Sequence, residues 1–173
     1  KNAGIVISNS SSNGRTTRQA LEAMPYEIQG SPPDVLIVQF GMNDCNIWDT
    51  NRGLPRVSPS SFRSNLSEIA DRAFAFDVKK VCFNTNHPTL KDEEYQKYNS
   101  FYSSITRDVA TSYHGNVALN DIEKGFEESV HDGNQLARLL MPSPDLLHLS
   151  VDGHRLYYEL SMPLFESLID ETR

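Results

Sequence analysis

Val35-Leu36-Ile37-Val38-Gln39-Phe40-Gly41-Met42-Asn43-Asp44 is an apolar run that stops on a glycine and then presents an amide and a carboxylate. Its first six residues are rich in Val and Ile, show no regular alternation and follow Pro32-Pro33, the pattern of a strand buried on both faces. In an open α/β sheet, ligands bind beyond the carboxyl ends of the strands, so Asn43 and Asp44 stand where chemistry is expected. Gly-x-Asn-Asp is also good turn chemistry, because Gly tolerates positive φ and Asn or Asp can bond their own backbone. The stretch alone leaves both readings open.

Upstream, Gly4-Ile5-Val6-Ile7 predicts a short buried strand, and the Ser- and Asn-rich residues 8–13 end at Gly14. A helix is expected over 16–24, with Thr16 or Thr17 as its cap and Ala20, Leu21 and Met24 as its apolar stripe. Downstream, residues 45–57 form a loop carrying Trp48, Arg52, Gly53, Pro55 and Arg56, long enough to wall a cleft. Ser58-Pro59 opens an amphipathic helix in which Phe62, Leu66, Ile69, Ala70 and Ala73 recur at helical spacing. A third strand is expected over 78–83, ending at Asn84-Thr85-Asn86-His87-Pro88. A long helix over 92–113 then repeats Tyr95, Tyr98, Phe101, Tyr102, Ile105 and Val109, a stripe suited to core or groove wall.

Residues 117–119 predict a fourth strand ending at Asn120-Asp121, followed by a polar stretch over 123–140 with short helical possibilities. The chain closes with a proline-bounded loop over 141–150 and a helix from about 151 to the end. Ser150 is the natural cap of that helix, and Pro163 should kink or restart it. Strands alternating with helices call for α/β architecture: three layers, α/β/α, around a flavodoxin-like parallel sheet with right-handed crossovers.

The 173 residues fit a single domain that buries roughly two thirds of its unfolded surface. A formal charge of -7, with the Lys and Arg scattered, argues against a nucleic-acid or anionic-membrane partner. Two cysteines, Cys45 and Cys82, are too few for a disulfide framework and are not spaced as a zinc site. No apolar run approaches the roughly twenty residues of a membrane span, and residue 1 does not open a signal peptide. The expectation is a cytosolic protein or one whose targeting segment lies outside this sequence.

Asp145 and His148 stand three positions apart on the loop entering the last helix. One bend of chain there can set the carboxylate on the imidazole, fix its tautomer and leave the second nitrogen as a base. A local hydrogen bond at the helix entry is the plainer reading of the pair. Metal ligation by Asp145, His148, Asp152 and His154 is disfavoured, because Asp152 and His154 fall on different faces of a first helical turn.

Three segments together, Ser-Asn-Gly14-Arg-Thr-Thr, Gly41-Met42-Asn43-Asp44 and Asp145-Leu-Leu-His148-Leu-Ser-Val-Asp-Gly153-His154, resemble in order and spacing the SGNH hydrolase family, the GDSL-type esterases and lipases. The resemblance covers nearly the whole chain. It implies the SGNH type of parallel sheet and a serine ester hydrolase without metal or organic cofactor. It assigns Gly14 a backbone N–H in the oxyanion hole, Asn43 an amide donor there, and Asp145 and His148 the acid and base of the triad.

The family's first block, a strand ending in Gly-Asp-Ser with the nucleophile, has no counterpart here. Ser8, Ser10, Ser11 and Ser12 fall in the second block instead. The expectation is an SGNH hydrolase-like domain over 1–173 that is N-terminally incomplete, its first strand lying upstream or on a separate segment that completes the sheet. Trp48 with Arg52 and Arg56 offers an apolar wall with a cationic edge for an acylated sugar or another small polar ester, and His87 and Asn86 point toward the cleft end by topology, while turn formation is the plainer reading of residues 84–88. A binding module that has lost its nucleophile and an acyltransferase using the same residues are the rival readings.

Overall fold

The computed structural model describes residues 4–173. Its sheet has three parallel strands, β1 (Val35–Gln39), β2 (Lys80–Asn84) and β3 (Val117–Asn120), in the order β1-β2-β3. The register sets Gln39 beside Asn84 and Asn84 beside Asn120, so one row of amides crosses the carboxyl end of the sheet. The helices are α1 (Thr17–Met24), α2 (Pro59–Ala75), α3 (Glu93–Ser112), α4 (Ile122–Ser129), α5 (Gly133–Leu139) and α6 (Val151–Glu171).

Alternation along the strands builds the layers. Leu36, Val38, Val81 and Phe83 turn to one face and pack with Phe62, Leu66 and Ile69 of α2 and with Tyr102, Ile105 and Val109 of α3. The Phe62 and Tyr102 rings meet at 4.9 Å between centroids, and fully burying a side chain of this size contributes on the order of 2 kcal/mol. Asn84 turns to the other face, where its Nδ2 donates to Tyr157 Oη of α6 at 2.6 Å, and Asn120 Nδ2 donates to Ser161 Oγ at 3.0 Å. The amide row therefore pins α6 across the sheet.

Capping signals in the sequence close as chemistry predicts. Thr16 N donates to Gln19 Oε1 at 2.9 Å ahead of α1, and Ser58, Asp92 and Ser150 accept from the amides of Ser61, Tyr95 and Gly153 at the starts of α2, α3 and α6.

Four expectations are corrected. Residues 4–7 form no strand, and Ile5, Val6 and Ile7 are exposed; no ladder with β1 satisfies their backbone, and a strand needs such a partner. For the same reason β1 is an edge strand, not one buried on both faces, and Ile37 is 45% exposed. The third predicted strand begins two residues late, because Asp77 takes a left-handed φ of 66° and Lys79 and Lys80 both donate to Asp34 O before the ladder opens. Helix α6 runs through Pro163 without restarting, the missing N–H removing one rung of a helix tied to the sheet through Tyr157 and Ser161 and packed against α4 and α5.

Candidate active site

Asp145 and His148 form a closed unit. Asp145 Oδ1 accepts the amides of Leu147 at 2.9 Å and His148 at 2.7 Å, while Oδ2 accepts His148 Nδ1 at 2.8 Å. A carboxylate only accepts, so Nδ1 carries a proton, and in the neutral ring Nε2 is the nitrogen with the lone pair. The His148 side chain is 74% exposed, and Nε2 is open to an incoming group. The two His148 bonds, backbone first and then side chain, together with the Leu147 amide hold the Asp145 carboxyl down at about 2.

The surrounding loop is anchored on both sides. Met141 N donates to His148 O at 2.7 Å, Leu140 and Leu149 form an antiparallel bridge, and Ser150 N donates to Leu139 O at 2.9 Å. Gly153, in the first turn of α6, lies so close to Leu139 that a methyl group on it would overlap the Leu139 carbonyl. The Gly of the sequence motif is thus a packing requirement at the root of the histidine loop.

Across the strand ends, β1 runs out into Gly41, whose φ of 129° and closeness to Asn86 exclude a side chain; a Cβ there would meet the Asn86 carboxamide at 2.5 Å. With its amide nitrogen toward Phe40 and its oxygen toward Met42, Asn86 donates to Phe40 O at 3.0 Å and accepts from Met42 N at 3.3 Å. Tyr95 Oη donates to Met42 O at 2.9 Å from the start of α3. The next residue, Asn43, is half-buried, and among the described residues no hydrogen bond engages its side chain. Its amide remains available as a donor.

Asp44 turns inward and is fully buried. It accepts Thr17 N at 2.9 Å, Thr17 Oγ1 at 2.5 Å and Gly41 N at 3.2 Å, and burial pushes its carboxyl above the usual range while these bonds hold it back. Its role here is to tie the start of α1 to the end of β1. Just before α1, Gly14 takes φ 74°, and its carbonyl accepts Arg56 Nη1 at 2.9 Å. The Arg56 guanidinium stacks 4.2 Å from the Trp48 ring centroid.

The loops after β1, after β2 and before α6 meet through Asn86 on one side and Leu90 N donating to Leu146 O at 3.0 Å on the other. His87 lies between these ties. Its Nδ1 donates to Pro88 O at 3.0 Å, and burial, reinforced by the nearby His148 and His154, lowers it to about 4, so it is a neutral imidazole. A cavity of about 250 Å³ bounded by Cys45, Ile47, Lys91 and Tyr95 adjoins the Asn43 turn.

Of the residues singled out in the sequence, Asp145 and His148 are joined directly, the segments of Asn43 and Gly14 are tied by bonds between their neighbours Asp44 and Thr17, and Trp48 is held against Arg56. Arg52 is not drawn in: it is exposed, its φ is 51°, and among the described residues no side-chain bond ties it to the other candidates. Among the described residues no serine hydroxyl bonds the His148 ring, and Ser8, Ser10, Ser11 and Ser12 are exposed. No cluster suited to a metal ion occurs among the described residues. Thr17 and Tyr95 were not visible as site residues in the sequence; Asn86 was placed toward the cleft end by its position just past a strand, but its bonds to the Gly41–Met42 turn were not.

A family model described as GDSL-like lipase/acylhydrolase matches residues 1–156. The uncharacterised lipoprotein YqeF of Bacillus subtilis is 28% identical over 177 residues, covering 88% of this chain and 70% of its own. Among solved structures, a lipase/acylhydrolase from Enterococcus faecalis superposes with a TM-score of 0.68 at 23% identity, over 89% of this chain and 72% of that one. LAE5, an alpha/beta hydrolase from the metagenome of Lake Arreo, gives 0.72 at 21% over 90% and 70%. The acetylxylan esterase Axe2 of Geobacillus stearothermophilus gives 0.69 at 18% over 87% and 67%. At these identities the superpositions establish the parallel three-layer fold. Among the described residues no helix is long and apolar enough to cross a membrane.

Proposed function

The chain belongs to the GDSL-like lipase/acylhydrolase family, and from that premise we propose that it hydrolyses carboxylic esters by acyl transfer through a serine, with His148 as general base and Asp145 as its orienting acid. The observation that carries this reading is the Asp145–His148 unit, whose protonated Nδ1 and open Nε2 match what a base must offer an attacking hydroxyl. The serine attacks the substrate carbonyl, His148 Nε2 takes its proton, and the imidazolium returns it to the leaving alcohol as the acyl-enzyme forms. Water then repeats the cycle to release the acid.

The tetrahedral oxygen is held by Gly14 N–H and the Asn43 amide, two donors aimed where negative charge develops. We place the attacking serine on a strand that pairs with the free edge of β1, upstream in the same protein or on a separate segment. The half-exposed Ile37 and the exposed, unpaired Ile5, Val6 and Ile7 support this placement.

For the substrate we propose a small polar ester such as an acylated sugar. Trp48 offers a 50% exposed ring for an apolar sugar face, and neutral His87 offers hydrogen bonding to a hydroxyl. Arg52 lends a cationic edge only if its loop closes on the substrate. The lipoprotein name of the Bacillus relative runs against the cytosolic expectation and favours a membrane-tethered setting.

The test is p-nitrophenyl acetate hydrolysis by the protein and its His148→Ala and Asn43→Ala forms. His148→Ala should abolish turnover, and Asn43→Ala should lower kcat by about a hundredfold or more. Covalent capture with a fluorophosphonate, followed by peptide mapping, identifies the serine. Full activity in His148→Ala would refute the esterase reading. Folded protein silent toward every ester but able to bind an acylated sugar would mark a binding module instead.

A further inference from the structure

The loop over 45–57 folds back onto the turn that presents Asn43: Arg56 N donates to Asn46 O and Val57 N donates to Asp44 O, both at 3.0 Å. The Arg56 backbone therefore moves with the Asn43 turn. Its side chain sits over the Trp48 ring of the same loop and reaches out of it to bond the Gly14 carbonyl. Among the described residues no carboxylate forms an ion pair with Arg56, so this guanidinium is committed to a neutral backbone oxygen.

Gly14 needs such a partner. It is exposed, takes a left-handed φ, has open space where a side chain would be, and follows residues 4–13, which form no regular structure. Behind it, Asp44 grips only the start of α1 at Thr17. Its neighbour Arg15 is anchored by its guanidinium to Glu27 at 2.6 and 2.9 Å and to Ser10 O at 3.2 Å, and Arg15 N donates to Ser12 O at 3.3 Å, but the Gly14 carbonyl itself is bonded, among the described residues, by Arg56 alone.

We propose that Arg56, braced on Trp48, is the positioning residue that holds Gly14 by its carbonyl, so that its N–H across the Cα stays in register with Asn43, coupling the two donors of the oxyanion hole. This rests on the ester-hydrolase reading above. A guanidinium suits the task because its planar face stacks on an indole while its edge still donates, which a flexible ammonium does less well. A displacement of about 1 Å at such a donor costs up to about a hundredfold in rate. The rival use of Arg56, as a cationic edge that contacts substrate, would act on KM instead.

The experiment measures kcat and KM for p-nitrophenyl acetate in the wild type, Arg56→Ala, Arg56→Lys, Asn43→Ala, Arg56→Ala with Asn43→Ala, and His148→Ala. Arg63→Ala, which breaks only a surface pair with Asp108, serves as control. Arg56→Ala should lower kcat by about ten- to a hundredfold with KM within about twofold, and Arg56→Lys should recover part of the loss. In the Asn43→Ala background the same substitution should cost much less, because the hole it aligns has already lost a donor. A raised KM with kcat unchanged, or losses that simply multiply, would overturn the proposal. If Arg56→Ala does not fold, Arg56→Lys decides: an intermediate fall in kcat supports the role, and wild-type kcat refutes it. Retained activity in His148→Ala would instead bring down the underlying hydrolase reading, whatever Arg56 does.

Discussion

Of the five histidines, only His87 is buried, and like Asp145 it holds its proton less tightly in the fold than in the unfolded chain, though for a different reason. Burial lowers its proton affinity from 6.5 to about 4, so the unfolded chain binds a proton that the folded one refuses. Its contribution is complete above about pH 6.5 and is lost as the pH falls through 4, a span worth on the order of 3 kcal/mol. Asp145 is held at about 2 against an ordinary 3.8, so its contribution is intact above about pH 4 and disappears only toward pH 2. Between pH 6.5 and 4, acid destabilisation should therefore carry a His87 component and none from Asp145. Thermal melts of wild type and His87→Asn across that window will show it: the variant's Tm should fall less steeply with acid, and parallel slopes would refute the assignment. Asp145 and His148 were legible in the sequence because three residues of loop suffice to join them. The bonds that Asn86 and Thr17 make were not, because their partners, Phe40, Met42 and Asp44, lie in other segments and only the closed sheet brings them together.

At the level of elements, caps and periodicity were legible because they are local: Ser58 and Ser150 accept amides three residues ahead, within reach of any helix start. Strand burial was not, because a run such as 35–40 says nothing of which neighbour occupies each edge, and the burial expected for Ile37 depends on that neighbour. Glycines make the same division. Gly125 in α4 and Gly153 in α6 both sit where helices touch, yet a methyl at Gly125 would press the end of the Leu160 side chain, whereas at Gly153 it would strike the backbone of Leu139. A leucine tip can turn aside and a main-chain carbonyl that also accepts Ser150 N cannot. Gly153→Ala should thus cost about 3 kcal/mol, a Tm drop on the order of 10 °C, and should reduce turnover further by shifting the His148 loop. Gly125→Ala should cost markedly less. Calorimetry on the two variants measures this, and equal losses would show that α6 slides to accommodate either methyl.

Across the whole molecule, the two faces of the sheet are held by different physics. The α2 and α3 face buries Phe62, Leu66, Ile69, Tyr102, Ile105 and Val109 in one apolar cluster, while α6 buries only Gly153, Ser161 and Leu168 and is held by amide bonds and the Lys80–Glu171 pair. Apolar burial scales with area, and each polar tie contributes only about 1 kcal/mol net, so the α6 layer should open at lower free energy than the α2–α3 layer. One thiol reports on each side. Cys45 belongs to the apolar cluster, and Cys82 alternates with Val81 and Phe83 to lie under α6; both are buried, and burial pushes both up to about 12. Neither should react with a thiol reagent in the native protein near neutral pH, since the thiolate is the reactive form. In sub-denaturing urea, Cys82 should label faster than Cys45, because only the α6 layer must lift to expose it. Site-resolved mass spectrometry of the labelled peptides decides the point: a single common rate would mean that the sheet and both its helical layers open as one unit, and the asymmetry argued from their packing would be wrong.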